Sequence, residues 1–234
     1  MFRFGVSAGI LVGLVSLCGT AHAVLLESYE FQGQPGNQTS VAPSFVSVNL
    51  IGSSFGELNL TPSSGANSIN ASGWSNAGAA YTFGFSVVSG YVASVNQLVL
   101  TSRSSGTGPG SLSVQASVNG GAYLVVASIM QTGTSFNDEM LSITPLSAIT
   151  SSVAFRIVAA NQVAAGGGSV GSGGTFRIGD YNPSGTPAPF SINSTIAALV
   201  PTSVPEPASL ALLAAGLVGA IGLRRRLTER SPAR

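Results

Sequence analysis

The residues able to do chemistry are few. Between the two chain ends, six acids (Glu27, Glu30, Glu57, Asp138, Glu139 and Asp180) stand against three arginines (Arg103, Arg156 and Arg177), and lysine is absent throughout. The only histidine, His22, and the only cysteine, Cys18, fall near the N-terminus. If that stretch is removed, no imidazole or thiol remains to activate the many serines, so a hydrolase triad is excluded on inventory. Carboxylate-only glycan chemistry needs two acids about 5–10 Å apart across a cleft. Asp138 and Glu139 are neighbours, and neighbours in an extended strand face opposite ways.

What remains is binding. Trp74, Tyr91, Tyr123 and Tyr181 offer aromatic faces for sugar rings. Trp74 is the first choice among them, lying between Gly73 and Ser75 in a polar segment, but a tryptophan so placed is more readily a plug folded back into the core. Arg156 and Arg177 take the phase opposite the apolar residues of their strands. They face solvent, and would hold an acidic polymer if those strands are neighbours. A structural Ca²⁺ would need Glu27, Glu30 and Asp180 to converge through pairing of the first and last strands; otherwise they are solvated edge residues. No acidic loop of the EF-hand type accompanies them, and no other cofactor is expected. A mildly acidic, lysine-free body offers no surface for nucleic acid.

The elements that must position these residues read as strands. Tyr81, Phe83, Phe85 and Val87 alternate with polar or small residues, as do Leu112, Val114, Ala116 and Val118, and Val153, Phe155, Ile157 and Ala159. Period-two alternation buries one sheet face and wets the other. Asn119-Gly120-Gly121 between two such runs predicts a tight hairpin, because Asn and Gly tolerate positive φ. About ten short strands with Gly- and Pro-rich turns predict an all-β fold, a β-sandwich or jelly roll spanning residues 24–203. The run Gly166–Gly174 has no apolar periodicity and is expected to be a flexible surface loop, not a phosphate loop.

Both ends differ from this body. Arg3, an apolar run from Val6 to Leu17 and the small-x-small triplet Ala21-His22-Ala23 make residues 1–23 a cleavable export signal, with signal peptidase cutting before Val24. The far end reads Val204-Pro205-Glu206-Pro207, then sixteen uncharged residues from Ala208 to Leu223, then Arg224-Arg225-Arg226. The prolines keep their segment extended. As a helix the uncharged run is about 24 Å long, against a bilayer core of roughly 30 Å. It is expected to be a single short transmembrane helix at the inner membrane, with the arginines on the cytoplasmic side.

Residues 204–230 resemble the PEP-CTERM sorting signal. That resemblance implies recognition by an exosortase, a membrane-embedded cysteine transpeptidase-like enzyme. Val204, Pro205, Glu206 and Pro207 would be recognition residues, and processing near them would remove the tail. The bearer would be released or attached at the envelope, outer surface or exterior of an exopolysaccharide-producing bacterium. The stretch Ser117–Tyr123 is also similar to hairpins of uncharacterised ectodomains that carry this signal, which brings no activity with it. The expected function is a non-enzymatic exported surface or matrix protein associated with polysaccharide. The alternatives are a carbohydrate-binding module with an aromatic platform, and a carboxylate-only glycan hydrolase or lyase.

Overall fold

The alternating runs form strands in a computed structural model that describes residues 24–181 and 188–199. The expected leader with Ala21 and Ala23, the Val204–Pro207 motif, the 208–223 helix and Arg224–Arg226 lie outside the described residues. Sixteen strands follow in order. They are β1 (Val24–Tyr29), β2 (Pro35–Gly36), β3 (Ser40–Val41), β4 (Phe45–Val46), β5 (Leu50–Gly52), β6 (Phe55–Leu58), β7 (Thr61–Pro62) and β8 (Ser68–Ser72). The chain continues through β9 (Ala80–Val87), β10 (Tyr91–Ser104), β11 (Ser111–Val118), β12 (Leu124–Met130), β13 (Asn137–Ile149), β14 (Ser152–Ala159), β15 (Phe176–Gly179) and β16 (Phe190–Ala198). Among the described residues, no helix is long and apolar enough to cross a membrane.

The strands form two sheets, and the fold is all-β and largely antiparallel, resembling a β-sandwich. One sheet runs β2-β8-β15-β10-β16-β1-β4, with β13 added on β10 and β7 on β8. The other runs β12-β11-β14-β9-β6-β3, with β5 added on β9. Aromatic rings join them. Phe155, Phe83 and Phe55 of the second sheet form a stack, with centroids 5.1 and 5.2 Å apart and planes within 11° and 6°. Tyr29 of β1 meets Phe55 edge-on at 5.5 Å, and Phe190 of β16 meets Phe83 at 4.7 Å. Phe31, just past β1, meets Phe55 at 89°. Edge-to-face pairs add roughly 0.5–1.5 kcal/mol each to the burial of the rings. The chain divides after Ala197, and everything described so far except the last residue of β16 lies in the first unit.

Two local expectations resolve differently. The Asn119-Gly120 hairpin forms as read: φ is 52° and 77°, and Gly121 N–H donates to Val118 O at 2.9 Å. The glycine run is not a free loop. Backbone N–H groups of Ala165, Gly166 and Gly171 donate to the carbonyls of Gly108, Gly106 and Thr107, each at 2.9 Å. Two backbones lie so close that a Cβ on Gly174 would sit 2.0 Å from Thr107 O. Gly166 and Gly174 are required because backbone packs on backbone there, while Gly167 and Gly168 take positive φ; without side chains the segment shows no periodicity to reveal this.

Candidate functional site

The site is built where β10, β13 and β15 meet. β15 pairs antiparallel with the end of β10, so that Arg177 stands directly opposite Arg103. Alternation turns Ser102, Ser104, Phe176 and Ile178 into the core, where each is fully buried, and sends both arginines to the outer face. On the other edge of β10, Ser102 pairs with Asn137 and Thr101 with Asp138. That register delivers Phe136, the residue before β13, beside the arginines. The Cζ atoms of Arg103 and Arg177 lie 5.4 and 5.8 Å from the Phe136 ring centroid, within cation–π range. Tyr181 completes the group from beyond β15, its ring 4.8 Å from that of Phe136 and tilted by 35°. Arg103, Thr134, Ser135, Phe136 and Tyr181 line an open cleft of about 510 Å³.

A buried polar network fixes the loop that carries Phe136. Gln131 Nε2 donates to Ser102 Oγ at 2.7 Å and to Glu139 Oε1 at 3.0 Å, and Ser102 Oγ donates to the same carboxylate at 3.0 Å. Burial pushes the Glu139 carboxyl up to about 7, against the opposing pull of these hydrogen bonds. Asp138 points the other way and accepts from Thr101 Oγ1 at 2.7 Å. The Arg177 guanidinium is wedged against Gly65, where a Cβ would sit 2.5 Å from its Cζ. Burial lowers the pKa of Arg177, and the facing charge of Arg103 lowers it further.

The residues picked from sequence are not brought together. Trp74 is no platform: it is 1% exposed, packs edge-on against Tyr81 and Phe176 at 5.1 and 5.5 Å, and donates Nε1–H to Ala71 O at 2.8 Å. Gly73, at φ +82°, turns the chain just before it. Tyr91 begins β10 and packs half-buried against the core. Tyr123 is partly exposed, but Arg156 covers its ring at 4.1 Å while donating Nε–H to Gln115 Oε1 at 2.7 Å. Arg156 on β14 and Arg177 on β15 are not neighbours, since their strands belong to different sheets. Arg177 has Arg103 for a neighbour instead. Both Arg156 and Arg177 are half-buried rather than free in solvent.

Glu27, Glu30 and Asp180 do not converge as a calcium site would need, and Glu27 and Asp180 are not solvated edge residues either, since both are buried. Glu30 and Asp180 are close enough to act on one another, and Asp180 Oδ2 accepts from Phe31 N–H. Burial, and then Glu30, push Asp180 up to about 8. Glu27 faces Gly52 instead, fully buried, with neither carboxylate oxygen hydrogen-bonded. Among the described residues no group of three His, Cys, Asp or Glu could hold a metal ion.

A two-sheet all-β body with an exposed aromatic–arginine cleft is thus joined to a chain end of a different kind. That end carries the PEP-CTERM protein-sorting motif, matched over residues 203–226. The motif implies processing by an exosortase system and is generally linked to export and cell-surface anchoring. No curated protein matches the chain. Among solved structures, the body is similar to a family 29 carbohydrate-binding module at 10% identity, covering 68% of this chain and 86% of that one with a TM-score of 0.36. A lysine-to-alanine variant of the family 29 module CBM29-2 gives 10% identity, 75% and 92% coverage and a TM-score of 0.37. At that overlap the likeness fixes neither a ligand nor a binding face for this chain.

Proposed function

We propose that residues 24–203 form a non-catalytic carbohydrate-binding domain, carried across the inner membrane by the leader and sorted to the cell envelope or exterior through the terminal motif. The carrying observation is the Phe136–Tyr181 pair at the mouth of the cleft, with Tyr181 54% exposed. Saccharides bind where an aromatic face meets hydroxyl and charged hydrogen-bonding groups, and Thr134, Ser135 and Arg103 line the same cleft. The network beneath holds the segment that carries Phe136, so that ring needs little ordering on binding. Of the four aromatic residues expected to offer a platform, this reading keeps Tyr181 and adds Phe136.

The test is a glycan array followed by affinity measurement on Tyr181→Ala. Losing one stacking face should weaken binding at least about tenfold. An unchanged affinity in the folded variant would place the sugar elsewhere.

A further inference from the structure

The charge in this cleft identifies a class of saccharide. We propose that the cleft takes an acidic sugar, a uronate-type carboxylate bridging the Arg103 and Arg177 guanidinia while its ring stacks on Phe136 and Tyr181. This rests on reading the cleft as a saccharide site.

Like charges directly opposite one another on adjacent strands destabilise a sheet. Here the two guanidinia are register partners, and one phenyl ring lies within 5.8 Å of both. The body holds only three positive side chains, and two of them share this spot. Clustered charge of one sign in a low-dielectric recess raises the local concentration of the opposite sign. Arginine also supplies a planar fork that meets a carboxylate through two parallel hydrogen bonds, which an ammonium group cannot do. Arg177 is partly withdrawn from water, and the facing charge of Arg103 disfavours its charged form. A carboxylate between the arginines would relieve the repulsion and gain charge-assisted hydrogen bonds. The cleft volume of about 510 Å³ falls within the range that holds a small ligand.

The experiment titrates the purified domain with a galacturonate oligomer and with its methyl ester, which has the same rings and no charge. The acid should bind at least about tenfold more tightly than the ester. Arg103→Gln and Arg177→Gln should each erase that preference, and Arg103→Lys should restore only part of it. Arg156→Gln removes the same charge from the other sheet and should leave the preference intact. Melting curves establish that each variant is folded. Equal binding of acid and ester, or a preference that survives in folded Arg103→Gln, overturns the acidic class while the saccharide reading stands. Preference for a sulfated oligomer over the uronate overturns the carboxylate assignment. If neither acid nor ester binds and the glycan array is blank, the saccharide reading falls as well.

Discussion

At the residue scale the acids are the unusual part of this molecule. Four of the six in the body have carboxyls that burial pushes upward: Glu27 and Asp180 to about 8, Glu57 and Glu139 to about 7. Glu27 is the extreme case. It is 0% exposed, and its neighbour Tyr29 gives its hydroxyl proton to Ser53 O at 2.8 Å. Burial there outweighs what Tyr29 and Ser53 offer an ionised carboxylate, so the group stays protonated at neutral pH. The sign of the linkage follows. Above the ordinary carboxylate range the folded chain keeps protons that the unfolded chain releases, so stability falls as pH rises from about 4.5 towards 8. The melting temperature should therefore drop between about pH 5 and about pH 9, and Glu27→Gln should flatten the slope. Calorimetry across that range checks it; a melting temperature that holds level or climbs would show that Glu27 does not carry its proton into the fold. A core substitution gives a second measure. Phe55 contacts Tyr29, Phe31, Tyr81, Phe83 and Phe190, so Phe55→Ala should cost about 3–5 kcal/mol in denaturant titration.

At the scale of elements, two adjacent glycines of one segment make opposite demands. Gly174 lies against the Thr107 carbonyl, so Gly174→Ala forces two backbones apart and should cost about 2 kcal/mol or more. Its neighbour Gly173 has nothing within 4 Å, and Gly173→Ala should change stability by no more than about 0.5 kcal/mol. Equal effects from the two would mean that the segment is not clamped. These elements also show what could be read in advance. Strands with alternating large residues, such as β9, β11 and β14, were legible because burial of one face leaves a period-two trace. β8 was not. Its sequence Ser-Ile-Asn-Ala-Ser looks like loop, yet Ser68 and Asn70 are buried because they bond the carbonyls of Gly65 and Ser64. The candidate site was half legible. Arg177 and Tyr181 could be picked by type, but Arg103 becomes its partner only through a long-range register. Phe136 is a lone ring in a polar loop, and no periodicity announces it. Trp74 is the core plug its sequence also allowed, because its polar flanks belong to a turn that folds the indole inward.

For the whole molecule, the reading is a passenger between two disposable ends. Mass spectrometry of the protein from its own envelope or medium should give a mature chain beginning at Val24 and ending near Pro205–Pro207. Intact Arg224–Arg234 in an exosortase-competent host would contradict the second half. The ends of the passenger also have a mechanical meaning. β1 and β16 are antiparallel partners, with Val24 opposite Ser194, so the chain enters and leaves the sheet at the same end. β16 lies directly beside β10, the strand that carries Arg103, and hydroxyls of Ser94, Ser194 and Thr195 cross-link the two. A pull applied at residue 199 against cargo held in the cleft would therefore travel through one interstrand ladder, loaded lengthwise. Rungs loaded in that direction share the force and break together, whereas a ladder peeled from one end surrenders them singly. If the cleft holds a polymer as proposed and the processed end is attached, that ladder is what would resist their separation.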